Sequence, residues 1–240
     1  MTLTTANPKR LANSSRLARP VNWLMAAVLM LSLVTARAET PWQSRYSLPP
    51  RLEKMNAVLL GLPPVSGSNP KLAEGDRVPL FGLWNQDGEA VSLLNFRGKK
   101  VVLNFIFTRC KNAKMCPAAT AKMGQLDRRA QADGIDGYHL VTITFDPAYD
   151  APPVLHEYGT MRGLDFRRHS LLTGDEAVIR KLLELFAVRT RREDGTIVHT
   201  ATTVLIDADG KIAYIRYGPD WTVTEFLDRF TPTGETNKGE

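Results

Sequence analysis

From Val78 onward, apolar and polar positions alternate between two periods, and each change of period marks an element. Residues 80–84 and 89–93 read as short strands on either side of Asp87-Gly88, a dipeptide suited to a tight hairpin turn. Residues 99–107 read as a central strand, and the apolar run over 101–107 suits cover on both faces. Residues 117–132 then place Ala119, Met123, Leu126 and Ala130 at helical steps, and residues 138–145 read as a second strand. Asp150-Ala-Pro-Pro153 opens a helix whose apolar face is expected to include Val154, Tyr158 and Met161. Thr173-Gly-Asp-Glu176 has the form of a capping box ahead of Val178, Ile179, Leu182, Leu183 and Phe186. Residues 201–206 and 211–217 flank Asp209-Gly210 as a second hairpin, and Thr222-Val-Thr-Glu225 caps a last short helix bearing Phe226 and Phe230.

The predicted order is hairpin, strand, helix, strand, two helices, hairpin, helix. That order implies an α/β fold with a mixed sheet between helices and an N-terminal β-hairpin, the thioredoxin-like layout. Upstream, residues 39–75 are rich in Pro, Ser and Gly, with one helical candidate over residues 52–60. They read as an extension that ties the domain to the N-terminal segment or drapes over it. The expected organisation is thus 1–38, a leader; 39–75, the extension; 76–231, the domain; and 232–240, a flexible tail.

The leader reading rests on Lys9, Arg10, Arg16 and Arg19, the apolar stretch 21–34, and the small-residue pattern Ala36-x-Ala38. It predicts export, to a periplasm or its equivalent, with cleavage near Glu39. The alternative is an uncleaved membrane anchor facing the exported side, although the stretch is shorter than the ~20 residues of a comfortable span. The charge then changes meaning. The formal net charge is +6, but residues 1–38 hold five basic residues and no acids, so residues 39–240 are near +1. Nucleic-acid binding loses its main support.

The two cysteines of the chain, Cys110 and Cys116, sit where the central strand ends and a helix begins. Two soft sulfur ligands there suggest a redox disulfide or a soft-metal clamp, the plainer alternative being a structural pair. Pro117 would occupy the first helical position with Cys116 as N-cap, where the helix N-terminus is expected to lower the thiol pKa. Arg109, Lys111 and Lys114 would push the same way. Five residues separate the cysteines, looser than the Cys-x-x-Cys of thioredoxin-type redox centres. No proline occurs between Pro153 and Pro219, and His199 stands where such oxidoreductases carry a cis-proline facing their cysteines. An imidazole opposite two thiolates makes an S₂N set that suits copper in both oxidation states.

With these residues in place, the domain resembles the Sco/SenC family of exported copper-binding proteins, which support assembly of the dinuclear copper centre of cytochrome oxidase. Phe105-Ile-Phe-Thr-Arg-Cys110 with Cys116-Pro117 is similar to the family's cysteine motif. Residues 142–152, which contain Asp146, resemble its aspartate segment, and residues 199–210 its histidine segment. Leu171-Leu-Thr-Gly-Asp-Glu176 and Gly218-Pro-Asp-Trp221 fit its connecting elements. One departure stands out: the family motif has three residues between the cysteines, this chain five, beginning with Lys111.

The resemblance implies a copper site of Cys110, Cys116 and His199, with Asp146 influencing the metal from behind the ligands. It also implies a copper-accepting or thiol-containing partner protein, a cytochrome oxidase subunit. The alternative is a thiol–disulfide oxidoreductase cycling Cys110 and Cys116 without metal. Asp146 has a competing reading as a turn residue before Pro147, and Asp150 reads as a helix N-cap. Met115 tempts as a thioether ligand but reads better as packing. His139, His156 and His169 are expected at the surface or in packing. Arg189, Arg191 and Arg192 form a solvated basic run, or meet an acidic partner near His199.

Overall fold

The computed structural model describes residues 42–65, 71–194 and 196–230, all within one compact unit spanning residues 40–240. The candidate leader or anchor (1–38) and the candidate tail (232–240) lie outside the described residues. No described helix is long and apolar enough to cross a membrane.

In chain order the elements are α1 (Pro50–Leu60), β1 (Leu83–Trp84), β2 (Ala90–Val91), β3 (Lys100–Ile106), α2 (Cys116–Ala132), β4 (Tyr138–Thr144) and α3 (Pro152–Met161). There follow β5 (His169–Leu172), α4 (Glu176–Leu185), β6 (Thr190–Glu193), β7 (Thr196–His199), β8 (Thr202–Ile206), β9 (Ile212–Tyr217) and α5 (Val223–Leu227). The central sheet runs β5-β4-β3-β8-β9, with β3, β4 and β5 parallel and β8 and β9 antiparallel to their neighbours. This is the mixed sheet that the order of periods predicts. β3 lies at its centre with six of seven residues buried, as its continuous apolar run requires.

Alternation along β3 divides the core. Val101, Leu103 and Phe105 pack in the larger cluster with residues of α3 and α4. Val102 joins the smaller cluster with Met123 and Leu126 of α2 and Phe226 of α5. The described part of the extension is bound to this body. Leu52 and Leu59 are buried, and Asn56 exchanges two hydrogen bonds with the backbone of Gly82, at 2.9 and 2.8 Å.

Several expectations need correction. β5 was not anticipated between the two helices: four residues beginning His-Ser are too few to establish a period. The segment 190–199 is a hairpin rather than a loop, and it is marked by Asp194-Gly195, the dipeptide already used to find the other two hairpins. α3 buries Leu155, Tyr158 and Gly159, whereas Met161 is 70% exposed, because the helix is rolled toward β5. Asp175, not Thr173, caps α4: its carboxylate accepts from the N–H groups of Ala177 and Val178. Thr173 is instead bridged to Trp84 of β1. Asp150 does not cap α3, a place taken by Ala151.

Candidate metal centre

The site forms where β3 gives way to the loop 107–115 and α2 begins. That loop is ordered by its own polar groups. Asn112 accepts the Met115 N–H on its carbonyl and the Lys114 N–H on its side chain, both at 3.0 Å. The Cys110 thiol lies 3.8 Å from the same carbonyl. The two extra residues are thereby folded into a turn, and the sulfurs still converge.

At the other side, β7 ends in His199. Its Nδ1 lies 3.0 Å from the Thr200 carbonyl, which can only accept, so Nδ1 carries the proton and Nε2 is left as an acceptor for the Cys116 thiol. Nε2 sits 3.3 Å from the Cys116 sulfur. The donor atoms of Cys110, Cys116 and His199 all lie within 4.8 Å of one another. Both cysteines are free thiols, Cys110 half-buried and Cys116 buried. The ring of His199 packs 4.6 Å from that of Phe145 and 6.0 Å from that of Phe107, which exclude water from one side.

Burial dominates the electrostatics. The Cys116 thiol is pushed well above its ordinary pKa by desolvation, overturning the expectation of a lowered value. The helix begins at Cys116 with Met115 as its N-cap, so the sulfur is not at the cap position and lies inside the core. Arg109 is bound to Asp146 and lies over the Tyr149 ring, so it is not free to act on the sulfur. Desolvation also lowers the His199 pKa, with the Thr200 carbonyl opposing, and the ring stays neutral and able to donate its lone pair.

Asp146 is fully buried and receives Arg109 at 2.6 Å and Arg192 at 2.9 Å. It therefore joins the cysteine loop to β6, the strand paired with the one that bears His199. Its carboxylate is not in the group of converging donors. Arg192, expected in a solvated loop, is thus part of the framework. Asp150 plays a similar part. Buried, it accepts hydrogen bonds from Thr108 N–H, Thr108 O–H and Thr144 O–H, tying the loop start to β4. Desolvation raises its pKa against those bonds. Met115 is half-buried at the junction of two clefts beside His199. His139 and His169 are core residues and His156 pairs with Asp87 at the surface, all outside the cluster.

The donor set is soft, compact and neutral apart from what deprotonation would supply. Two sulfurs and an imidazole at this spacing fit a small soft cation and would hold it through Cys110 Sγ, Cys116 Sγ and His199 Nε2.

A family model described as SCO1/SenC matches residues 70–222. The SCO1 protein homolog of Bacillus subtilis is 31% identical over 136 residues, covering 55% of this chain and 69% of that protein. The structure of BsSco, described as a member of the Sco family of cytochrome c oxidase assembly proteins with a disulfide switch, superposes with a TM-score of 0.58. It is 27% identical, over 66% of this chain and 94% of that one. Bradyrhizobium japonicum ScoI, solved with copper bound, is also 27% identical, with a TM-score of 0.54 over 66% and 98% of the two chains.

Proposed function

The chain belongs to the SCO1/SenC family, and from that premise we propose that it is an exported copper-binding metallochaperone that supports assembly of the copper centre of cytochrome oxidase. The convergence of Cys110, Cys116 and His199, with Nε2 left unprotonated by the bond from Nδ1–H to the Thr200 carbonyl, carries this reading. The basic and apolar pattern of residues 1–38, with Ala36-x-Ala38, supports export.

Copper, when bound, offers a soft acceptor for the two sulfurs in its reduced state and a stronger preference for nitrogen when oxidised. The remaining work falls to the chain. Cys116 holds its proton in the metal-free protein because it is buried, and loading therefore releases that proton. Cys110 and His199 line the outer cleft while Cys116 does not, so an incoming donor meets those two first. Ligand exchange then proceeds from the solvent side inward, with Cys116 as the last attachment.

A second reading is favoured by one observation: the two sulfurs are free and lie within 4.8 Å of each other. Cys110 and Cys116 would then cycle as a thiol–disulfide couple without metal. The buried, protonated Cys116 weighs against fast turnover, because the thiolate is the species that attacks.

Copper titration of the reduced chain tests the proposal. One copper per chain is expected, and Cys110→Ser or Cys116→Ser should abolish tight binding. His199→Ala should weaken Cu(II) far more than Cu(I), since two thiolates can hold Cu(I) alone. Rapid reduction of a protein disulfide, with copper affinity no better than that of a free dithiol, would replace the first reading by the second.

A further inference from the structure

The cleft that reaches Cys110 and His199, about 780 Å³ in volume, has a charge pattern that metal binding does not use. Its walls include the apolar groups of Phe107, Ile197, Val198 and Met115, and Val198 is 48% exposed. Arg109, Lys111 and Arg192 line it as well. Lys114 extends from the same loop, and Arg191 stands directly across the hairpin from Val198. Arg189 lines the adjoining cleft, on the other side of Met115 and His199.

These six cations are all exposed; the acidic groups among them are Glu193 and Asp194 at the surface and the buried Asp146 and Asp150 beneath Arg109, while Lys71 and Glu184 also line the adjoining cleft. Elsewhere residues 39–240 hold 19 basic and 20 acidic residues, so the excess positive charge lies on the face that opens onto the metal centre. Asp146 binds Arg109 and Arg192 from beneath and leaves their outer sides 48% and 67% exposed. Arg191 meets Glu193 at 2.8 Å in an exposed pair, which holds it weakly. Lys111, Lys114 and Arg189 form no ion pair with another described residue.

We propose that this face docks an acidic segment of a partner protein, which is thereby brought with its own metal-binding donors to Cys110 and His199. The mention of donors rests on the proposed metal centre; the docking does not. A cationic rim around an apolar floor suits a chain that mixes acidic and apolar side chains. A nucleic acid or an anionic membrane would select a broad basic surface, which the nearly balanced remainder of residues 39–240 does not provide. Opposite potentials speed encounter and fix orientation, and both matter for a site in which one ligand is buried.

The test uses the full chain, reduced and copper-free, with a fluorescent synthetic peptide carrying two cysteines flanked by Asp and Glu. A second peptide replaces those acids by Asn and Gln. The basic residues of 1–38 are common to every variant and cancel in the comparison. The acidic peptide should bind at least about tenfold faster than the amide peptide at low ionic strength, and the advantage should shrink as salt is raised to about 0.15 M. The triple variant Lys111→Glu, Lys114→Glu, Arg191→Glu should lose about tenfold in association rate. Reversal of Arg97 and Lys99 to Glu, at the opposite end of β3, should leave the rate within about twofold. Equal binding of the two peptides, or equal losses from the two reversals, would overturn the proposal. So would displacement of the acidic peptide from this face by duplex DNA or anionic vesicles. Copper uptake by the triple variant is measured separately. Retained uptake with lost docking isolates the surface, and docking without copper uptake in the unaltered chain would refute only the metal reading.

Discussion

His139 and His169 hold the acid sensitivity of this fold at the scale of single residues. His139 stacks on Phe96 with ring centroids 4.1 Å apart and meets the Ser170 hydroxyl at 2.9 Å. His169 lies 2.8 Å from the Thr142 hydroxyl, which itself donates to Asn104 Oδ1 and so accepts from His169 Nε2–H. Desolvation lowers their pKa values to about 4 and about 3. An unfolded chain takes up protons on these rings near pH ~6.5, where the folded one does not. Their contribution to stability is therefore full above that pH and is lost as pH falls toward the folded values, by up to about 1.4 kcal/mol per pH unit for each ring. Urea unfolding between pH ~7 and ~5 should show this slope, and His139→Gln with His169→Gln should flatten it. An unchanged slope in the double variant would refute the assignment. The burial of these rings follows from their positions at the first residue of β5 and within β4, not from their neighbours in sequence.

Between elements, one carboxylate joins the cysteine loop to the β6–β7 hairpin. Asp146 ties Arg109 of the cysteine loop to Arg192 of β6, and β6 in turn is paired with β7, where His199 sits. Asp146→Asn preserves volume but removes the charge that both guanidiniums face. A cost of about 2 kcal/mol is expected, moderated by the solvent on the outer side of each arginine. Cys110 should then react faster with an alkylating reagent in the metal-free protein, because loop and hairpin are no longer held together. Equal alkylation rates in the variant and the parent would mean that Asp146 supports the fold alone. The cysteine turn was visible in the residue pattern; its link to Arg192 was not, since Asp146, which makes the link, is 37 residues from Arg109 and 46 from Arg192. The β6–β7 hairpin has an all-exposed strand, so its apolar period is silent, and Asp194-Gly195 was the available signal.

Over the whole molecule, the centre is held by a sheet packed on both faces. Leu126 is fully buried in the smaller cluster, on the side of α2 that faces Tyr138 and Phe226. Leu126→Ala should cost about 2–5 kcal/mol in chemical unfolding. The folded fraction should still bind copper at one equivalent per chain, because the helix start and the loop are untouched. Lost stoichiometry in folded protein would show that the site depends on the far core.

The sequence by itself determined the layered α/β architecture, the central strand, the two hairpins turned at Asp87-Gly88 and Asp209-Gly210, and the pairing of a cysteine motif with a distant histidine. The architecture, the strand and the hairpins are encoded by local period and turn chemistry; the pairing follows from where the thioredoxin-like layout puts His199. Only the tertiary structure decided the rest. The Cys116 thiol lies in the core rather than at a charged helix cap, so its pKa rises where a lowered one was expected. Asp150 fastens a loop instead of capping a helix, and Arg192 reaches back to a carboxylate distant in the chain. Desolvation and long-range ion pairing depend on which segments meet in space, and sequence period does not encode that meeting.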